Sequence, residues 1–297
     1  MKHNKHAGFT LVELLVVISI IALLIALLLP ALAKAKKLAL STACMSNLRQ
    51  LATAFDAYKT SYRGDSIPYN WDFPWMAGTY QQYNGSWPCL LAPFLTSQPV
   101  ARYGTTGYEI EPASVLAILT CPISVANSNI PGSWGPGSVS FDWRVWNNGQ
   151  GSGPSQYGWM GSYGLNGWVY GEVKGQGLHS YILEGLPGYA PGKGQGDSSY
   201  FWQPMQQNGN APLMADCDWM DAFPLWTNAI PPTDSGQSMA NMSSQFQSPG
   251  GTPGMIANFY LDRHLKGINV AFCDGHVEHV NESDLWSLQW SANWGRR

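Results

Sequence analysis

The longest uninterrupted hydrophobic stretch of the chain lies near the N-terminus, from Leu14 to Ala33, and it contains no charged residue. At 1.5 Å per residue, these twenty residues span about 30 Å as a helix, which is the thickness of the hydrocarbon core of a bilayer. Pro30 removes one backbone donor from this helix, so a kink or a locally melted turn is expected there. The stretch predicts a single membrane span.

Apolar residues continue beyond the span at three- and four-residue spacing, and no Gly or Pro interrupts the chain between Pro30 and Arg63. This spacing places one apolar stripe along a helix, ready to lie against a globular head. We therefore predict one N-terminal helix over residues 9–63 and a head over residues 64–297. The stripe consists of Cys44, Leu48, Leu51, Phe55, Tyr58 and Tyr62.

The head is rich in Gly and Trp, and its clearest strand pattern is near the C-terminus. Ile268, Val270 and Phe272 alternate with less apolar residues, and Asp274-Gly275 precedes a second alternating segment. Asp-Gly between two such segments predicts a hairpin with a two-residue type I′ turn. Residues 87–95 suit a short helix, and residues 115–121 suit a buried strand or a short helix. The pattern as a whole predicts an α+β fold, with the long helix docked on a head that contains an antiparallel sheet.

Composition and charge narrow the class of protein. Of the 297 residues, 45% are hydrophobic, which is enough to form a core, and the mean hydropathy of -0.15 excludes a polytopic membrane protein. Residues 1–63 carry eight Lys or Arg against Glu13 and Asp56, whereas residues 64–297 carry eight basic and seventeen acidic groups. The acidic head would repel phosphates, so nucleic-acid binding is not expected.

The hydrophobic stretch on its own is compatible with two common kinds of N-terminal targeting segment. A secretory signal peptide would be cleaved at the small residues Ala31-Leu32-Ala33, although the stretch is longer than usual for that class. An uncleaved signal anchor is the second possibility. It leaves Glu13 unexplained, because a carboxylate near the membrane interior is costly.

A third interpretation rests on residues Gly8 to Ile18, which read GFTLVELLVVI and closely resemble the processing signal of type IV prepilins and type II secretion pseudopilins. The resemblance implies that a prepilin peptidase cuts after Gly8, removes the leader of residues 1–8 and methylates the new N-terminal amine of Phe9. It also implies that Glu13 pairs with the N-terminal amine of a neighbouring subunit and fixes its register in a filament. Alternatively, Glu13 lies among the lipid headgroups.

The same resemblance implies the location and the partners of the protein. It places the chain in the inner membrane as a single-pass protein, with the N-terminus in the cytoplasm and the head in the periplasm or in an extracellular filament. The implied partners are the prepilin peptidase, other pilin-like subunits, the membrane lipid, and an inner-membrane assembly platform with its ATPase.

A second resemblance lies in the head. His264, nine intervening residues and Asp274-Gly275 form an H-x9-DG arrangement, which resembles the C-terminal signature of a large family of prepilin-like proteins. Further matches to that family are residues 44–50, 120–122, 162–166 and 263–264. This resemblance implies a pilin-like architecture and says little about which molecule the head binds or carries.

Three groups of head residues suggest chemistry. His264, Asp274, His276 and His279 include potential metal ligands, but alternate residues of a strand face opposite ways, so we expect His264 and Asp274 to be structural hydrogen-bonding residues. Asp216, Asp218 and Asp221 provide hard oxygen ligands for Ca²⁺, or are simply solvated or capping residues. Calcium is therefore the only cofactor that the sequence suggests. No catalytic cluster is evident, so an enzyme is not predicted.

The five cysteines allow more than one pairing. In the H-x9-DG family small residues often occupy the positions of Cys217 and Cys273, and this comparison suggests a disulfide between them. Cys44 with Cys121 is a second candidate pair, which would leave Cys89. Buried thiols are the alternative to either bond.

These observations predict a pilin-like structural subunit of a type II secretion pseudopilus or a type IV pilus-like filament. The alternative is a membrane-tethered protein that binds extracellular polysaccharide through exposed Trp residues and uses the prepilin route only for delivery.

Overall fold

The structure is a computed structural model that divides into two compact units, Met1–Leu40 and Ser41–Arg297. The boundary between the units falls within the first helix, upstream of the boundary at residue 64 that the sequence suggested. The structure describes residues 11–67, 87–96, 113–124, 134–135, 143–145, 159–171, 201–203, 206–207, 209–217, 220–224, 259 and 263–295.

Helix α1 spans Leu11–Ser61 and contains Pro30. It stays helical through the proline, so the locally melted turn that we considered does not form. The helix ends where Arg63 and Gly64 take positive φ values of 60° and 89°, and the Gly64 N–H donates to the Lys59 carbonyl at 2.7 Å. A left-handed residue that returns its N–H to the last turn is a common helix stop. The predicted end at residue 63 was therefore close.

The predicted apolar stripe is buried within the second unit. Cys44, Leu48, Leu51, Phe55 and Tyr58 are at most 5% exposed and belong to the main hydrophobic core. Tyr62 is the exception, because the helix has already ended there. Its side chain is 53% exposed and stacks on Tyr58.

Two short α-helices follow α1 in the part of the chain that the structure describes. Helix α2 spans Trp87–Leu95, as predicted, and helix α3 spans Ala113–Leu119. The second segment was compatible with a strand or a helix, and the structure makes it a helix. Val115 and Leu119, four residues apart, are both fully buried in the main core.

The described strands form two sheets. Strands β1 (Trp134–Gly135), β2 (Trp143–Val145) and β3 (Trp159–Gly161) make a small antiparallel sheet in the order β1-β2-β3. The larger sheet has the order β6-β4-β5-β7-β8 and consists of β4 (Tyr163–Asn166), β5 (Pro212–Asp216), β6 (Asp221–Ala222), β7 (Gly267–Phe272) and β8 (Val277–Asn281).

This long apolar helix with a five-stranded sheet is consistent with the predicted α+β, pilin-like fold. One detail differs from the prediction, because the sheet is mixed. Strand β6 pairs with β4 in parallel, whereas the other pairs in the sheet are antiparallel.

Both faces of the larger sheet are covered, and strand β7 shows this most clearly. Ile268, Val270 and Phe272 belong to a second core with the C-terminal Trp290, whereas Ala271 belongs to the main core. All six residues of β7 are buried. The alternating apolar residues of β7 therefore do share one buried face, as the sequence predicted, but the opposite face of the strand is buried as well.

The predicted hairpin forms between β7 and β8, but its turn is not type I′. Gly275 has a φ of 87°, whereas Asp274 is not among the residues with positive φ, and a type I′ turn needs two. The Gly275 N–H donates to the Phe272 carbonyl at 2.9 Å, which defines a three-residue loop with glycine in the left-handed position. Glycine adopts that conformation without the steric cost that aspartate would meet.

Candidate functional site

The N-terminal part of α1 exposes its apolar side chains. Every large hydrophobic residue from Leu11 to Leu38 is between 46% and 79% exposed. Among the described residues, α1 is the one helix that is long and apolar enough to cross a membrane, and none of its most apolar window is buried in the protein. Such a surface requires lipid or other apolar helices around it.

Glu13 lies in the first turn of α1, among these exposed apolar side chains. It is four residues after Phe9, which corresponds to about one helical turn. The predicted processing residues Gly8 and Phe9 lie outside the described residues, so the structure adds nothing to their assignment.

A buried polar cluster lies at the end of β5, and Asp216 is its centre. The Asp216 Oδ1 atom is 3.3 Å from Arg263 Nη1, and its Oδ2 atom is 3.2 Å from His264 Nε2. The backbone N–H of Asn269 also donates to Oδ2, at 2.9 Å. Burial alone would raise the pKa of Asp216, but His264, Arg263 and the Asn269 hydrogen bond hold it below its ordinary value. The carboxylate is therefore ionised and fully paired.

A tight turn before β7 positions the basic members of this cluster. Leu265 and Lys266 take positive φ values of 51° and 69°, and the His264 N–H donates to the Gly267 carbonyl at 2.9 Å. A Cβ atom at Gly267 would overlap the Val280 carbonyl and the His279 ring, so this position of the turn requires glycine. Arg263 and His264 are thereby directed into the protein, where they are 4% and 1% exposed.

A disulfide joins Cys44 of α1 to Cys121, which follows α3, with 5.3 Å between the Cα atoms. Cys121 also touches the polar cluster, because its Sγ atom is 3.5 Å from His264 Nε2. Of the two candidate pairings, the Cys44–Cys121 bond is therefore the one that forms. The side chain of Cys89 lies outside the described residues.

The predicted bond between Cys217 and Cys273 is wrong, since both residues are thiols in the structure. The sheet separates them. Cys217 belongs to the second core, whereas Cys273 packs against the main core on the other face. Both positions favour a small side chain, and cysteine meets that need without a bond.

The two polar residues of the H-x9-DG arrangement occupy different environments. His264 is buried and bonded to Asp216. Asp274 lies on the exposed hairpin loop, where its Oδ1 atom is 2.6 Å from His276 Nδ1 and accepts the His276 N–H at 3.1 Å. His279 faces solvent on β8. The four residues that we considered as a cluster therefore do not converge.

The three aspartates considered for calcium are also dispersed. Asp216 is on β5 and Asp221 is on β6, with β4 between these strands, and Asp218 lies outside the described residues. Asp221 accepts a hydrogen bond from the Tyr170 hydroxyl at 2.9 Å. Burial and this nearby carboxylate raise the pKa of Tyr170 well above its ordinary value. Asp216 and Asp221 each serve a separate buried pair.

Tryptophan is used mainly inside the described part of the head. Trp87, Trp168 and Trp290 are fully buried, and their indole N–H groups donate to the carbonyls of other segments. Trp202 is 6% exposed and donates to the Trp290 carbonyl. These side chains offer no face to a sugar. Trp286 and Trp294 are only partly buried, so among the tryptophans with described side chains they are the ones that a sugar could reach.

Sequence reasoning missed the cluster because its members are far apart in the chain. Arg263 was noticed only as part of a family match, and Asp216 was considered as a calcium ligand or as a solvated or capping residue. The available signal was the Arg263-His264 dipeptide just before a strand, together with an aspartate that ends the apolar run of β5. Asp262 and Lys266 flank this dipeptide, so its local sequence gives little sign that Arg263 and His264 are buried against a distant acid.

Comparison with known families identifies the N-terminal segment. Residues 3–29 match the prokaryotic N-terminal methylation motif. No curated protein and no solved structure matches the chain. The match covers the apolar start of α1 and indicates a prepilin-type substrate, which is processed by a prepilin peptidase and assembles with other pilin subunits. The exposed apolar helix fits such a membrane-anchored, pilin-like subunit.

Proposed function

We propose that this chain is a structural subunit of a type II secretion pseudopilus or a type IV pilus-like filament. A prepilin peptidase removes residues 1–8 after Gly8 and methylates Phe9, and the mature subunit then leaves the membrane to join the filament. The observation that carries the proposal is the methylation motif at residues 3–29, which extends into a helix whose large apolar side chains are exposed up to Leu38.

The exposed apolar helix fits both the membrane-inserted state and the filament state of such a subunit. Residues 14–33 are long enough to cross the membrane before assembly. In a filament, the same apolar side chains pack against the helices of neighbouring subunits. Each large side chain moved from water to an apolar surrounding gains about 1.5–3 kcal/mol, so the segment stays in lipid or in a helix bundle.

Glu13 supplies the axial register. A carboxylate in an apolar surrounding is stabilised by an adjacent positive charge, and the N-terminal amine of a neighbouring Phe9 provides one. The amine and the carboxylate meet only when two helices are at one relative height. The pair therefore selects one stagger among the many that a uniformly apolar helix surface would allow.

The orientation follows the prepilin route, with the N-terminus in the cytoplasm and the head in the periplasm. The Cys44–Cys121 disulfide supports this placement, since disulfides persist in oxidising compartments and are rare in the cytosol. In this proposal, an inner-membrane platform and its ATPase extract the subunit from the membrane.

The experiment combines mature N-terminal analysis with a register variant. Mass spectrometry of the protein from its native host should find N-methylated Phe9 as the first residue. Glu13→Ala should still be processed and retained in the membrane but should be lost from sheared filaments, because its helix no longer finds the register. Ser19→Ala is the matched control, since the Ser19 hydroxyl bonds to the carbonyl of its own helix at Leu15 and should be dispensable.

Two results would contradict the proposal. A mature chain that begins near Lys34 would show secretory cleavage and remove the helix. Normal filament incorporation of Glu13→Ala, with processing intact, would remove the register role.

A further inference from the structure

Four potential metal ligands from distant parts of the chain meet at one buried point. Cys44, Cys121, Asp216 and His264 each direct one ligand atom to this point, and these atoms all lie within 4.8 Å of one another. None of the four residues is more than 1% exposed. We call them the four-ligand site. Two of its members are the cysteines of the disulfide, so the site offers a metal two sulfur ligands only when that bond is broken.

Two distances within the site match those of a tetrahedral zinc centre. With Zn–S near 2.3 Å and Zn–N or Zn–O near 2.0–2.1 Å, tetrahedral geometry separates sulfur from nitrogen by about 3.5 Å and nitrogen from oxygen by about 3.3 Å. In the structure, Cys121 Sγ is 3.5 Å from His264 Nε2, and His264 Nε2 is 3.2 Å from Asp216 Oδ2. The distance between the two sulfur atoms has to increase, to about 3.8 Å, and reduction of the disulfide allows this. The other pairs of ligand atoms lie within 4.8 Å of one another.

The charges around the site balance both with and without a metal. In the disulfide form, the Asp216 carboxylate is paired with the Arg263 guanidinium, and both side chains are fully buried. A divalent cation bound by two thiolates and one carboxylate has a net charge of -1, which the same guanidinium neutralises. Arg263 contacts Oδ1, so Oδ2 is available to a metal without loss of the ion pair.

His264 can also change from a hydrogen-bond donor to a metal ligand at Nε2 without breaking a hydrogen bond at its other ring nitrogen. In the disulfide form, a proton on Nε2 is donated to Asp216 Oδ2. The Nδ1 atom makes no hydrogen bond to any described residue. The tautomer that carries its proton on Nδ1 therefore loses only the bond that the metal replaces.

We propose that the reduced four-ligand site binds Zn²⁺, so that a metal and a disulfide are alternative cross-links between α1 and the segment that follows α3, and the metal also ties both to Asp216 of β5 and to His264. Thiolate and imidazole ligands favour zinc over calcium or magnesium, which prefer oxygen. Binding displaces one proton from each thiol. The chain reaches its compartment with reduced cysteines, and zinc holds them until a disulfide oxidant accepts two electrons by thiol–disulfide exchange. The S–S bond of the oxidant breaks to give two thiolates, the Cys44–Cys121 bond forms, and Zn²⁺ is released.

The test uses full-length protein in detergent. A phosphine reductant opens the disulfide: it becomes the phosphine oxide by taking oxygen from water, and each sulfur receives one proton. After removal of metal by a chelator and exchange into clean buffer, Zn²⁺ or Co²⁺ is added alone. Reduced protein should bind one metal ion per chain, release two protons with Zn²⁺, and give the charge-transfer absorption of a cobalt–thiolate complex. Oxidised protein should bind neither ion at this site.

Substitution of the ligand residues, and protection of the cysteines from alkylation, identify which residues bind the metal. Bound zinc should protect Cys44 and Cys121 from alkylation, as read by peptide mass spectrometry. Cys44→Ser/Cys121→Ser should abolish binding. His264→Gln should weaken it by at least the ~10- to 100-fold typical of losing a supporting residue of a metal site. Cys217→Ala is the matched control, because its thiol is buried in the second core and should leave binding unchanged.

The reduced and oxidised forms of the unmodified chain keep the test valid if a variant fails to fold. If the reduced chain loses its near-ultraviolet circular dichroism and zinc restores it, the proposal is supported. Reduced chain that binds no stoichiometric metal, whether folded or unfolded, overturns it. Binding that survives loss of both cysteines, or that protects Cys217 and Cys273 instead, also overturns it.

Discussion

Reducing the Cys44–Cys121 disulfide should lower the free energy of unfolding by about 4.5 kcal/mol. The bond closes a loop with a sequence separation of 77 residues. In the chain-entropy description, such a cross-link removes about 2.1 + 1.5R ln n, or roughly 15 cal/mol/K, from the unfolded chain, which is about 4.5 kcal/mol at 25 °C. Both sulfur atoms are buried, and the bond links the core face of α1 to the end of α3.

The measurement is urea unfolding of the full-length protein in detergent, followed by tryptophan fluorescence. Oxidised protein is compared with protein held reduced by a phosphine, with a chelator present so that no metal replaces the bond. With a denaturant slope of about 3 kcal/mol per M, the midpoint should fall by about 1.5 M. Cys44→Ala/Cys121→Ala should fall by a similar amount and should no longer respond to the phosphine.

Cys217→Ala controls for the loss of a buried sulfur, because it removes a thiol and no cross-link. The urea unfolding midpoint of this variant should still fall when the phosphine is added. Equal midpoints for the oxidised and reduced protein, with mass spectrometry confirming two additional alkylatable cysteines after reduction, would refute the loop-closure argument.

Three further predictions concern the head. Asp216→Asn should destabilise the protein by about 3–5 kcal/mol, because it leaves the buried Arg263 guanidinium without a carboxylate; a loss below ~1 kcal/mol in urea would contradict this. Gly167→Ala should cost about 1–3 kcal/mol in thermal unfolding, since its Cβ atom would overlap the packed ring of Phe223, and an unchanged midpoint would show that the ring can move. Burial raises the pKa of Cys273 to about 12, so iodoacetamide at pH 8 should alkylate this thiol far more slowly in folded than in urea-unfolded protein, and equal rates would disprove the burial.

Local patterns predicted the elements of this fold well. The span, the amphipathic continuation of α1, the helix at residues 87–95 and the hairpin at residues 267–281 all depend on the spacing of apolar residues over short distances. The hairpin turn was wrong in type, because Asp-Gly fits both a two-residue loop and a three-residue loop with glycine last. Only the strand register decides between them.

Features that depend on distant residues were not predictable in the same way. The parallel pairing of β6 with β4 and the contact of Cys121 with His264 join segments separated by long stretches of chain. The choice between the two cysteine pairings depended on which residues share a face of the sheet. Asp216 was recognised as a notable acidic residue, but its partner is 47 positions away.

Arg263 and His264 follow Asp216 by more than forty residues, and this separation has a consequence for biosynthesis. Asp216 stays without its basic partners, and β5 without its neighbour β7, until residues 263–272 have been synthesised. Contacts of such long sequence separation form slowly, and the incomplete intermediate exposes an open strand edge. A chaperone that covers the edge of β5 during this interval would protect the protein at its most vulnerable stage.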